Sequence, residues 1–201
     1  MKKEKKSHGV QLLIRCVVRD PDGKIITDTG RKPARSFVIQ FLEFVYGMID
    51  PSNVSATDLA GAETLFYKTG TPVFALLQIE AVVNDSDYGV VVGTGDTAAT
   101  NTDYKLETQL TEGVGLGNIT HGAQVVGTAA VVGANVDLVL TRAFTNNTGS
   151  TITVKEAGIY TEYSGVTGPF YHCIVRDVLP GSVDVPDKCS LTVIYTVRTT
   201  V

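Results

Sequence analysis

The C-terminal third of the chain most constrains its fold. Leu138–Phe144 (LVLTRAF) breaks at Thr145–Ser150 (TNNTGS), and Ile152–Tyr160 (ITVKEAGIY) follows. Tyr171–Leu179 (YHCIVRDVL) then runs to a Pro180-Gly181 break, and Ser190–Val201 (SLTVIYTVRTTV) carries the sequence to its last residue. β-Branched and aromatic runs of this length, separated by Asn, Gly and Pro, are the signature of antiparallel strands joined by tight connections. A final run without a polar tail is expected to be packed or paired. Its place at the end of the chain reads as a fixed edge in a larger assembly.

The upstream sequence extends this pattern. Val10–Arg19 and Lys24–Thr27 flank Asp20-Pro21-Asp22-Gly23, a β-hairpin by composition and spacing. Ser36–Met48 has a different period: Phe37, Val38, Phe41, Leu42, Phe44, Val45 and Met48 fall on a helical stripe. Ser36 is the expected cap and Pro51 follows the end. A short strand is expected over Thr64–Lys68, before a turn at Thr69-Gly70-Thr71, and Val73–Val83 reads as either a helix or a buried strand, with its Gly-rich neighbour favouring the strand. Gly89–Gly95 is a strand ending in two glycines, and Glu107–Gly122, with four glycines, reads as a long loop. Ala123–Val132 supplies one or two more strands. The sum is about eight to ten strands and one helix. The expected fold is mainly β, an antiparallel β-sandwich or jelly-roll-like domain over residues 10–201 behind a basic arm at 1–9. With 201 residues, 43% apolar and 19% charged, the chain can bury a core.

Composition excludes several functions. A net charge of −4 gives no general case for nucleic-acid binding. The local exception is Lys2, Lys3, Lys5 and Lys6, an arm that is either solvated or touches an acidic surface or nucleic acid. Cys16, Cys173 and Cys189 have no metal-binding spacing and suit small apolar core residues in a reduced compartment. No run approaches the roughly 18 apolar residues of a membrane span. No apolar run follows the basic start as a signal peptide requires, so the chain is expected to be made in a cytoplasm.

Three patterns invite chemistry. Val92–Thr97 (VGTGDT) lacks the lysine of a phosphate loop, and its glycines read as a strand-ending turn that needs conformations closed to other residues. His8, His121 and His172 form no sequence-local pair, and His172 and Cys173 point to opposite faces of one strand. Asp96, Asp103, Glu107 and Glu112 could collect a calcium ion but read as solvated loop carboxylates. No catalytic residue, cofactor or metal is expected. One charge stands out. Strand alternation puts Glu156 on the apolar face with Ile152 and Val154, where a carboxylate needs a partner. Arg142, on the preceding strand, is the expected one, as a structural ion pair that fixes register.

Three segments then carry a resemblance: VVVGTGDTAATNTDYKLETQL, LTRAFTNNTGSTITVKEAGIY and IVRDVLPGSVDVPDKCSLTVIYTV. The succession VGTG…DY.L, R.FTN.TG..ITVKE.G.Y and R.VLP…V.VP…LTV.YT resembles a pattern of virion structural proteins of tailed bacteriophages. It covers Gly89–Val201, and Val10–Phe41 fits the same kind of protein more weakly. The resemblance implies a virion component, of head, neck or tail, that assembles with copies of itself and with other virion proteins and takes no membrane partner. Contact residues are then expected at Lys2, Lys3, Lys5 and Lys6, on the helix at Phe37, Phe41, Phe44 and Val45, and in the Gly-rich loop at Leu116, Ile119 and His121. The rival expectation is a carbohydrate- or receptor-binding sandwich module of a phage fibre, with Tyr88, Tyr104, Tyr160 and Tyr163 as stacking platforms. A hydrolase lacks a credible nucleophile and base.

Overall fold

The computed structural model describes residues 9–34, 37–49, 54–66, 77–165 and 168–200. The architecture is mainly β with antiparallel sheets and one helix, as the strand runs indicate. The larger sheet has eight strands. Its path runs from β2 (Ile25–Asp28) through β1 (Gly9–Arg19), β13 (Ser190–Thr200), β10 (Asn135–Thr145) and β8 (Asn118–Val126) to β7 (Thr111–Glu112). β3 (Lys32–Ala34) lies beside β1, and β9 (Ala130–Val132) beside β10. The second sheet is β12 (Gly168–Val185), β11 (Ile152–Gly165) and β6 (Gly89–Gly93). A separate hairpin joins β4 (Val54–Thr57) to β5 (Glu63–Phe66), and α1 (Ile39–Ile49) packs on it and on β12.

The turns form where the side chains supply hydrogen bonds. Asp20 accepts from the amides of Asp22 (3.1 Å) and Lys24 (2.9 Å), and Gly23 takes φ +83°. The β1–β2 hairpin is therefore where its composition places it. The segment Thr145–Ser150 does something else. It leaves β10 in one sheet and enters β11 in the other, so it crosses the sandwich instead of joining neighbours. Asn146 anchors the crossing, donating through Nδ2 to the carbonyls of Ser150 and Val185, both at 2.7 Å.

The core lies between the two sheets. Val18, Ile14, Phe144, Leu191 and Val193 of the larger sheet meet Val90, Val92, Val154, Ile159 and Val175 of the smaller. Burial on the inner face of the larger sheet is graded along its strands. On β1 it runs from Val18 (0% exposed) through Cys16, Ile14 and Leu12 to Val10 (62%). Val10 pairs across Thr199 with Val136, and Val136 pairs with Val131 of β9. The larger sheet thus overhangs its cover, and its last inner row stays in solvent.

Four expectations need correction. The final strand is no edge: β13 pairs with β1 on one side and β10 on the other along its whole length. The Pro180-Gly181 break does not end a strand, because Val183 pairs with Val154 and Val178 with Glu156, leaving Leu179–Ser182 as a bulge opposite Lys155. The Gly-rich loop over 107–122 is partly structured. β7 and β8 pair in parallel, and the irregular stretches are 107–110, with a single bridge from Gln109 to Gly93, and 113–117. Residues 77–83 form no strand and meet β11 at Gln78, which bridges to Glu162 and accepts from the Thr161 hydroxyl at 3.1 Å, while 73–76 lie outside the described residues. Ser36, Thr69-Gly70-Thr71 and the basic arm lie outside them too. Three buried thiols remain free, as apolar residues would, and burial pushes the Cys16 thiol up to about 12.

The burial gradient gives an asymmetric expectation for one substitution made twice. Val18→Ala removes packed methyl groups and is expected to cost roughly 2 kcal/mol in urea unfolding. Val10→Ala, on the same face of the same strand, is expected to stay within about 0.5 kcal/mol. Equal losses would contradict the overhang.

Candidate functional site: a buried polar framework and an apolar surface

Two buried arginines organise the polar interior. Arg142, on the inner face of β10, is fully buried. Its Nε donates to the Gly122 carbonyl at 2.8 Å and Nη1 to those of Tyr88 and Val90 at 2.9 Å. Its Nη2 donates to the carbonyls of Val82 (3.4 Å) and Asp85. All five guanidinium protons thus meet backbone oxygens. Burial lowers its pKa to about 10, against the attraction of Asp85 and Glu112. Gln124 adds a bond from the same side, accepting from the Val90 amide at 2.9 Å. Together these two residues of the larger sheet hold β6, an edge of the smaller.

Glu156 is also fully buried, but not on the inter-sheet core face expected for it: a register shift after Val154 turns it to the other face of the smaller sheet, the face of Val91 and Tyr160, under residues 94–108. Its ion-pair partner is Arg176 on the neighbouring strand β12, at 3.1 Å from Nε to Oε2. The expected Arg142–Glu156 pair is therefore corrected: their strands belong to different sheets, and Arg142 already fills its donors with carbonyls. Glu156 also accepts the amides of Thr108 (2.7 Å), Glu107 (3.0 Å) and Gly95 (3.1 Å). Arg176 donates onward to Asp103 at 2.6 Å and to the Thr97 carbonyl at 3.0 Å. Burial disfavours the Arg176 charge, but Asp103 and Glu156 outweigh it and raise its pKa.

This network explains the VGTG glycines. A Cβ on Gly93 would stand 2.5 Å from the Thr108 carbonyl oxygen, and one on Gly95 2.6 Å from Glu156 Oε1. Neither glycine has a positive φ, so they are needed for close approach, not for the unusual backbone that the sequence suggests. The acidic residues of the loops are used internally as well. Asp103 meets Arg176, Asp96 meets Lys155 at 2.8 Å, and Glu112 accepts the His121 amide at 2.6 Å. No group of carboxylate, His or Cys side chains suited to a metal occurs among the described residues.

His121 and His172 are structural in their contacts, and His8 lies outside the described residues. His121 Nδ1 faces the Ile119 carbonyl at 2.9 Å, so that nitrogen carries the proton. Burial and the nearby Arg142 lower its pKa. His172 Nε2 lies 2.7 Å from the Thr64 hydroxyl, which itself donates to the Ala56 carbonyl and so accepts from the ring. The ring also meets Phe44 edge-on, tying β12 to the small hairpin and the helix. Burial pushes the His172 pKa down to about 4, against the pull of Asp58.

The apolar surface is not where the sequence places it. Phe44 and Ile119 are buried, His121 is buried, and Phe37 stacks on Phe41 at 4.2 Å against the core. Val45 is half-buried. The molecule itself covers Phe37, Phe41 and Phe44, while Leu42 and Met48 of the same helical stripe stand exposed. The exposed stripe is Ile39, Leu42 and Tyr46, with Leu42 63% exposed. Leu116 does stand in solvent, at 88%, on the lip of a groove of about 520 Å³ floored by Leu110 and Ile152 and walled by threonines. Of the tyrosine platforms, Tyr88 and Tyr160 are buried, and Tyr88 stacks on Tyr171. Among the described residues, no helix is long and apolar enough to cross a membrane. Comparison with protein families, with curated proteins and with solved structures finds no match for the chain.

Glu156→Gln and Arg176→Gln are each expected to cost about 3–5 kcal/mol, since each breaks a buried ion pair. The double variant should lose less than the sum, by about 1–3 kcal/mol, and strict additivity would refute the pair. Acid provides a second measurement. His172 titrates near 6.5 when unfolded and near 4 when folded, so the unfolded chain binds more protons in between. Its contribution is present above about pH 6.5 and lost as pH falls towards 4, by up to about 1.4 kcal/mol per pH unit. His172→Gln should flatten that slope in urea titrations at pH 7 and pH 5.

Proposed function

We propose that the chain is a structural subunit of a virus particle that assembles in multiple copies through apolar surfaces, as a capsid-associated or tail component. The observation that carries this reading is the exposed stripe Ile39, Leu42 and Tyr46 on a helix whose other side is locked into the core. An apolar stripe on a fixed helix marks a contact with another protein more readily than it serves solubility. A second support is the use made of the groups that could carry chemistry. Arg142, Glu156 and Arg176 bind backbone groups and one another inside the protein. The resemblance to tailed-phage virion proteins points the same way, and the particle is the location it implies. The fibre-module alternative gains nothing from the buried Tyr88 and Tyr160.

Co-expression of the chain with the genes that flank it tests the proposal. The chain is expected to enter fast-sedimenting assemblies visible by electron microscopy, and Leu42→Glu with Tyr46→Glu should return it to the soluble fraction with an unchanged melting temperature. A wild-type chain that stays soluble beside all its neighbours' products would overturn the reading.

A further inference from the structure

The overhanging end of the larger sheet carries a second apolar surface, distinct from the helix. It centres on β9, which pairs with β10 through Ala130–Asp137, Val131–Val136 and Val132–Asn135. The line of strand that begins with β8 is covered at residues 121–124, where the segment at 81–84 bonds to it: Gln124 donates its amide to Ala81, and Asn84 donates to His121. At β9 all three residues are exposed, Val131 at 79% and Val132 at 51%. Natural edge strands are usually blunted by charge or proline. From Gly127 to Val136 there is no charged residue and no proline.

Two features choose the occupant. The first is charge. The nearest charge in the strand, Asp137, is held by Arg198 at 2.6 Å and 2.7 Å and lies 3.8 Å from Arg31, and β9 itself offers no charge for a charged partner to meet. A charged partner strand would lose hydration there with nothing to compensate it. An identical neutral edge meets no such penalty, even though the whole chain carries a net charge of −4. The second is continuity of the inner face. Val131 ends a cross-strand row made of Val136, Thr199 and Val10. Two copies joined antiparallel at β9 about a two-fold axis set Val131 beside its counterpart and fuse the two exposed rows.

We propose that β9 is a self-association edge, at which a second copy of this chain adds its own β9 by antiparallel strand pairing. The proposal deepens the assembly reading by naming one contact between copies, while its argument rests on β9 alone. Three residues make a short ladder, so the contact belongs to the weak class below about 1,200 Å² and gains strength only when many copies are joined.

Sedimentation velocity of the purified chain over a range reaching about 1 mM tests it. Reversible dimer formation is expected. Val131→Lys and, separately, Val132→Lys should hold the chain monomeric with an unchanged melting temperature, while Leu116→Lys leaves the dimer intact. Val131→Cys should form an interchain disulfide under mild oxidation, against a background of three buried native thiols. A monomer at every concentration, or a dimer indifferent to both lysines, would overturn the proposal. A monomer whose Val131→Lys variant fails to enter co-expressed assemblies would assign β9 to a different virion protein, overturning self-association while leaving the assembly reading in place.

Discussion

The closure of the sandwich on one side depends on the guanidinium of Arg142. The two sheets have no ladder in common there. Instead, a side chain from β10 reaches across and bonds the carbonyls of Tyr88 and Val90 at the edge of the smaller sheet, and those of Val82 and Asp85 in the segment beside it. Only arginine suits this place. Its planar fork offers five donors in fixed directions, where a lysine offers three from one point. The arrangement also satisfies carbonyls that a sandwich edge would otherwise bury without partners. The charge itself is kept despite burial, because losing it would leave several acceptors unmet at once.

A second buried charge does the same for the loops. Glu156 gathers the amides of Gly95, Glu107 and Thr108, and Arg176 fixes Thr97 and Asp103 behind them. Residues 94–108 have almost no ladder of their own, yet they are pinned from inside by one carboxylate and one guanidinium. Both charges act on backbone, so each holds chain segments and not merely another side chain. The segments Val90–Leu110, Leu140–Tyr160 and Ile174–Val197 supply these residues. Gly93, Gly95, Asp103, Arg142, Asn146, Glu156 and Arg176 all lie in them, and all belong to the framework.

Local chemistry was legible in the sequence and strand adjacency was not. The Asp20–Gly23 turn and the helix at 39–49 follow from spacing, whereas the core-facing phase expected of Glu156 is lost at the register shift after Val154. Period-2 alternation tells which way a side chain points, but not which strand lies opposite it. Thr145–Ser150 has the composition of a hairpin turn, and reading it as one put Arg142 beside Glu156. The segment is a crossover between sheets, and only the bonds of Asn146 to Ser150 and Val185 reveal that. The same limit explains β13, whose lack of a polar tail suggested an edge. Flanked by β1 and β10, that strand has both its rims paired. On the helix, apolar spacing ran nearly all the way round, so the period could not say which stripe the core would take.

The framework also shapes what the surface can do. Binding through a mobile segment carries an ordering cost that subtracts from affinity. Here the exposed apolar groups stand on parts of the chain that are already fixed. Leu42 and Tyr46 lie on a helix clamped by Phe44 against His172, and Val131 lies on a strand registered to β10. Leu116 rides a five-residue turn whose base is held by Asn118, which donates to Thr111 and Glu112. A partner meeting these groups has little chain to order, so even small contacts can act when many copies repeat them. Burying charge to fix backbone and leaving short apolar rows in solvent are two parts of one design, in which the interior supplies the rigidity that weak surface contacts need.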